Sequence, residues 1–245
     1  VFFENSNEII IYDEDGDEVE TIDLTTYMSG TDNDGLVEVV GLEFDDEHDW
    51  VFAACQRVDS GSGVPTGSVI VPIDQDSYSA KPALALISPI PVDMEYNPKY
   101  NELFVVSQGT TTPAQVAGAI ESFEIKGDAE DIYSNGIVKS DISFDGLLWG
   151  IVTRTDAAYV LFTDNTDLTM KVRPMDLDDY SLSPELDDLP GNFIEGMVIT
   201  GGDNLAVLEG NTGTMYLYEG ADDPGDEAYS RPVIVSLHPC LSISR

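Results

Sequence analysis

The chain has 245 residues, 42% of them hydrophobic, which is enough for one large domain. Its 47 acids against 10 bases give a formal charge of −37. That excludes nucleic acid as a partner, which needs a basic face, and disfavours anionic membrane surfaces. No run of about 18 apolar residues occurs, so no membrane-spanning helix is predicted.

Residue 1 is Val and no leader pattern follows it, so the expectation is a mature or trimmed product. A charge this large repels itself unless screened, and the Debye length falls from about 10 Å at 0.1 M salt to about 3 Å at 1 M. The composition therefore suits a saline, calcium-containing extracellular medium. The alternative is that acidity serves solubility alone.

Taken in order, the elements are short β-branched and aromatic runs separated by Gly, Asp, Asn and Pro, the pattern of an all-β chain. "VFFEN" (1–5) reads as a strand, and "EIIIYDEDGDEVETIDL" (8–24) as strand, turn, strand. Residues Asp13 to Asp17 hold four carboxylates around Gly16. An EF-hand counted from Asp13 would need Gly at its sixth position and Glu at its twelfth, where Glu18 and Leu24 stand. The segment is therefore read as a hairpin turn, with a weak calcium-binding turn as the alternative. "GTDNDGLVE" (30–38) resembles half of a calcium loop, with Gly30 where the first ligand belongs.

One unit then recurs. "VVGLEFDDEHDWVFAACQ" (39–56), "PVDMEYNPKYNELFVVSQ" (91–108), "LWGIVTRTDAAYVLFTDN" (148–165) and "IEGMVITGGDNLAVLEG" (194–210) each read as strand, polar turn, apolar strand. A third strand with an acidic or polar turn follows each, at 67–79, 118–131, 168–181 and 213–227. Residues 1–24 fit the register as second to fourth strands, and "LSISR" (241–245) supplies the missing first strand. A period of roughly 40–50 residues with four strands per repeat predicts a β-propeller. The expectation is one domain over 1–245, all-β, with five four-stranded blades and a ring closed by the N- and C-terminal strands. Six blades, or a piece of a larger protein, are the alternatives.

In this register the loops at 24–38, 56–67, 108–118 and 178–194 share one face, and the acidic hairpins the opposite one. Glu4, Cys55, Ser107, Asp164 and Glu209 end the second strands, followed by Asn5, Gln56, Gln108, Asn165 and Gly210. Asp93 and Glu195 open first strands near the same mouth. Converging carboxylate and amide oxygens suit Ca²⁺. Glu195, Asp164, Asn165, Asp93, Glu209 and Glu4 are therefore the candidate metal set. The plainer reading is that polar residues end strands because they meet water. Cys55 and Cys240 fall on one face and are read as a disulfide stapling the closing strand, against two unpaired thiols or bonds to other chains. Trp50 and Trp149 are read as core, His48 as solvated, and Tyr216 and Tyr218 as one buried and one exposed. No G-x-S-x-G, Ser-His-Asp set, phosphate loop or Rossmann fingerprint is present.

"FIEGMVITGGDNLAVLEGNTGTMYLYE" (193–219) resembles a blade of the calcium-dependent gluconolactonase and SMP-30-like propellers and of related YVTN propellers. The resemblance implies that Glu195, in its Glu-Gly pair, binds a metal, with Asp164 and Asn165 as partners, although those lactonases have six blades. The first functional expectation is a secreted, non-enzymatic binding or assembly module. Calcium would bridge its acidic faces to other subunits or to extracellular matrix. "LSISR" could pair with the "VFFEN" of a neighbour and build a homo-polymer. The second is a calcium-dependent lactonase or esterase, with Glu195 as ligand and Asp164 or Asp93 as ligand or base. A sugar-binding lectin is the third.

Overall fold

The structure, a computed structural model, describes residues 7–27, 37–45, 47–59, 62, 64–110, 115–126, 132–186, 189, 193–200, 204–211, 213–218 and 233–236. Among them are strands and two short 3-10 turns, with no α-helix. The chain divides into two compact units, Val1–Ile142 and Ser143–Arg245.

In the first unit, β1 (Glu8–Tyr12) and β2 (Glu18–Asp23) form a hairpin. A second sheet runs β3 (Val39–Asp45), β4 (Trp50–Asp59), β5 (Val64–Asp74), β6 (Leu84–Ala85). A third runs β7 (Pro91–Asn97), β8 (Glu102–Ser107), β9 (Ala119–Ile125), β10 (Ile132–Ser140). The second unit holds a sheet of β11 (Gly146–Thr153), β12 (Ala157–Asp164) and β13 (Met170–Asp176). Its other sheet is β14 (Ile194–Thr200), β15 (Asn204–Glu209), β16 (Thr214–Tyr218), β17 (Val233–Ser236). Every pairing is antiparallel between sequence neighbours, so each sheet is a meander, as the repeat predicts. Terminal segments 1–5 and 241–245, on which ring closure depends, lie outside the described residues.

Packing explains why the strands read as near-continuous apolar runs. Successive residues of β4 face opposite ways. Phe52 and Ala54 join a core shared with β7–β9 that includes Met94, Leu103 and Phe123. Ala53 and Cys55 join another with Ile9, Ile22 and Leu24 of the hairpin. The sheet is thus buried on both faces, and a fully buried large apolar side chain contributes about 1.5–3 kcal/mol. In the second unit, Tyr159, Leu161, Leu205, Val207, Tyr216 and Tyr218 share one core. Both tyrosines of β16 are buried, which corrects the expected alternation: residues two apart on a strand share a face.

The predicted turn at Asp13 is confirmed. The Asp13 carboxylate accepts from the backbone N–H of Asp15 (3.0 Å) and Asp17 (2.9 Å), and Gly16 takes φ +84°. A longer device recurs in both units. Pro72–Ser79 and Pro174–Ser181 share the sequence P-x-D-x-D-x-Y-S. In each, the first Asp N–H donates to the final Ser carbonyl, at 3.1 and 2.9 Å, and the Tyr has positive φ, 54° and 57°. Each Pro carbonyl then accepts from the residue two beyond that Ser, Lys81 (2.8 Å) and Ser183 (3.0 Å).

First strands repeat a second irregularity. A β-bulge lies at Val40, Val92 and Glu195, one pair in from the strand end, and at Trp149, two pairs deeper. Trp149 is 42% exposed, with its indole N–H donating to Thr163 Oγ1 at 2.8 Å. The expected core role holds for Trp50 and fails for Trp149, because Trp149 falls with Leu147 on the exposed side of β11 while Gly146 and Leu148 are buried.

Two glycines separate conformational strain from lack of space. Gly16 (φ +84°) has open space where a Cβ would sit, whereas a Cβ on Gly109 (φ +75°) would meet the Val116 carbonyl oxygen at 2.2 Å. Gly16→Ala should cost only the left-handed penalty, about 1–2 kcal/mol. Gly109→Ala should cost clearly more, on the order of 4 kcal/mol, because backbone must also move. Urea unfolding of both variants checks the order.

Candidate functional site

The residues expected at the mouth divide into those that structural contacts hold and those left exposed. Asp164 closes β12, and its carboxylate takes the Lys171 ammonium at 2.5 Å and the Thr166 N–H at 2.6 Å. Lys171 also reaches Asp167 (3.4 Å) and Glu185 (3.3 Å), and Glu185 in turn pairs with Arg173. Arg173 stands over the Phe162 ring, 5.4 Å from its centroid. The lysine hydrogen bond holds the Asp164 carboxyl down at about 2 and pushes the Lys171 ammonium well above its ordinary range. A carboxylate held so low is a weak base. Asn165 is exposed, and its N–H donates to the Asp145 carbonyl at 2.9 Å.

Glu195 is exposed on the β14 bulge, while Glu209 is buried at the end of β15, paired with Ile194. A Cβ on Gly210 would meet the Phe193 ring at 2.6 Å and a Glu195 carboxylate oxygen at 3.1 Å. Phe193 and Glu195 therefore close over Gly210, and only glycine fits beneath them. Asp93 is half-buried on β7 in the other unit, with its Oδ1 accepting from the Met94 N–H at 3.0 Å. Glu4 lies outside the described residues. Among the described residues, no three His, Cys, Asp or Glu side chains converge as a metal set.

Cys55 is a free thiol, fully buried, so the expected bridge to Cys240 is not formed in this structure; Cys240 itself lies outside the described residues. The Cys55 side chain is packed in the core with Val39, Val69 and Val71. Strand β4 was expected to end at Cys55 and instead continues to Asp59, pairing with β5 through Arg57–Gly67 and Asp59–Val64. The expected loop at 56–67 is mostly a hairpin extension, and Cys55 is left in mid-strand. Burial pushes its thiol up to about 12, with Arg57 opposing.

Sequence reasoning missed a polar cluster between the second and third sheets. Asp45, fully buried at the end of β3, holds His48 Nδ1 at 2.8 Å and accepts the N–H groups of Glu47 (3.0 Å) and His48 (3.2 Å). His48, expected to be solvated, is instead tied to this carboxylate. The Tyr96 hydroxyl lies 3.5 Å from His48 Nδ1 and donates to Asn101 Oδ1 at 3.2 Å. Two residues before Asp45, Glu43 accepts the Tyr96 backbone N–H at 3.2 Å. Glu43 therefore holds the main chain of one tyrosine on β7, and the Asp45–His48 pair stands beside its hydroxyl. Burial, and then the nearby Asp93 charge, push the Glu43 carboxyl up to about 7. A further buried carboxylate, Glu121, accepts from Ile87 N–H (2.9 Å) and Ser88 N–H (2.8 Å) and pins the β6–β7 connection. Because desolvation is its largest influence, its carboxyl is also raised.

Two outcomes are expected. Folding raises the Glu43 carboxyl from 4.5 to about 7, so the native state binds the proton more tightly and loses stability as pH rises through that window. Glu43→Gln keeps an acceptor for the Tyr96 N–H and has no charge to desolvate. Unfolding free energies from pH 4.5 to 8 should show wild type falling relative to this variant, by on the order of 2 kcal/mol. Lys171→Met should let the Asp164 carboxyl rise toward about 3.9 in an NMR titration; an unmoved value would show that Lys171 does not hold it.

No family model and no curated protein matches the chain. Among solved structures, a luciferin-regenerating enzyme is similar with a TM-score of 0.54 at 11% identity, over 93% of this chain and 70% of that one. A protein from Lactobacillus plantarum is similar with a TM-score of 0.47 at 14% identity, over 78% of this chain and 53% of that one. At the first of these levels the likeness shows the fold alone, an all-β architecture of β-propeller type built from small antiparallel meanders.

Proposed function

We propose that this protein is a five-bladed propeller serving as a calcium-associated binding and assembly module in a saline extracellular medium. Strands 1–5 and 241–245 complete the blade of the β1–β2 hairpin in this reading. The observation that carries it is the repeated acidic turn. Asp74 and Asp176 are each spent on their own turn, accepting the N–H of Ser77 (2.8 Å) and of Asp178 (2.7 Å). Asp76 and Asp178 are exposed at matching places, and Asp15 and Asp17 are exposed on the β1–β2 hairpin. Hard carboxylate oxygens held on rigid hairpins suit Ca²⁺ shared between molecules, and a formal charge of −37 opposes association until cations intervene. The partners are further subunits or extracellular matrix, and terminal strand exchange is the route to a homo-polymer.

A second reading is a calcium-dependent lactonase or esterase. It is favoured by the likeness to a luciferin-regenerating enzyme and by Glu195, exposed beside Phe193 over Gly210. Asp164, one of its expected ligands or bases, is held by Lys171.

Removing calcium separates the two. For the assembly module, millimolar calcium should raise the sedimentation coefficient and a chelator should reverse it. Replacing Asp76 and Asp178 with Asn should blunt the response. An unchanged coefficient, together with ester or lactone turnover that vanishes on chelation and in Glu195→Gln, would establish the second reading instead.

A further inference from the structure

A cavity of about 410 Å³ opens between the β1–β2 hairpin and the second sheet, within the first unit. That volume lies in the range of small-molecule sites, roughly 300–1,000 Å³. Ile11, Leu42, Phe44 and Val51 supply apolar wall, and Tyr12, Gln75 and Tyr78 also line it. Two wall aromatics remain open to solvent: Phe44 is 55% exposed and Tyr12 41%.

The charge around the cavity is mostly negative. Tyr12 leads directly into Asp13–Asp17, and Gln75 and Tyr78 belong to the acidic turn at Asp74–Ser79. The Asp13 and Asp74 carboxylates are engaged by their own turns, while Glu14, Asp15, Asp17 and Asp76 are exposed. Residues 7–27 contain no lysine or arginine. Lys81, the cation nearest the second turn in sequence, stands over the Trp50 ring, 5.9 Å from its centroid, and its charge reaches Asp74, leaving Glu14, Asp15, Asp17 and Asp76 in excess. An anion would be repelled here, and a neutral apolar guest would leave the carboxylates unused.

We propose that this cavity binds a small amphiphilic cation. Its aromatic or aliphatic body sits against Ile11, Leu42 and Phe44, and its ammonium group sits at the acidic mouth beside the exposed ring faces. Exposed aromatic rings attract a cation through their quadrupole, and nearby carboxylates add long-range attraction that salt screens. This site is separate from the calcium reading and does not depend on it.

The test uses the full chain with labelled isoleucine methyl groups, titrated with 2-phenylethylammonium and, in parallel, with neutral 2-phenylethanol. Shifts should centre on Ile9, Ile11, Ile22 and Ile73, all of which line the cavity. At roughly 0.01 M salt the ammonium should bind about tenfold more tightly than the alcohol, and the ratio should shrink to about threefold or less near 1 M. Leu42→Trp should fill the cavity and abolish the shifts. Phe44→Ala, at an already exposed position, tests the aromatic wall should the first variant fail to fold, and should weaken the ammonium about fivefold but the alcohol less. Equal affinities at low salt, or shifts centred on other isoleucines, would overturn the proposal. So would silence towards both probes with contacts from Phe2 or Phe3 to the cavity methyls, which would make the chain's own N-terminal segment the occupant.

Discussion

Burial of one sheet on both faces is the constraint on which the first unit rests. β4 sends Phe52 and Ala54 one way and Ala53 and Cys55 the other, and all four are almost wholly removed from water. A lone meander of three or four strands would leave one of those faces wet. The second sheet is therefore stable only as the middle layer between the hairpin and the third sheet. Its two cores are coupled through a single strand, so a volume change at Ala53 is felt next to Phe52.

That same two-sided burial forces polar groups into positions where water cannot serve them. Asp45, Glu121 and Ser107 are fully buried. The first two are answered by backbone N–H groups, a histidine ring and loop amides. These groups make the connections between sheets specific in register. Tyr96 shows the arrangement: its amide belongs to Glu43 and its ring enters the core with Trp50. Sliding β7 along β3 by one residue would break the first contact and pull the ring out of the second.

The meanders and acidic turns were legible because they depend on local chemistry. Short β-branched runs, Asp and Gly at Asp13–Gly16, and the spacing of the repeats need no knowledge of what lies across the sheet. The site was less legible for a related reason. When both faces of a sheet are covered, alternation no longer marks an outward side, so Phe44 could end up exposed and Asp45 buried. Nothing in "VFAACQ" signals that β4 runs on to Asp59, which leaves Cys55 inside the strand and in the core. Likewise, "TDNTDLTMK" does not say that Lys171 will fold back onto Asp164. The partnership between Phe193, Glu195 and Gly210 was partly visible, since glycine at a strand end suggests close approach.

The bulges have an evolutionary corollary. Val40, Val92, Trp149 and Glu195 each occupy the surplus residue of a first strand, outside the paired ladder. Such a residue has its backbone fixed by neighbours on either side, yet its side chain is not required to match one across the strand. The four copies already hold two aliphatics, an indole and an acid. Selection could rewrite the chemistry there one copy at a time, while the scaffold underneath stayed the same.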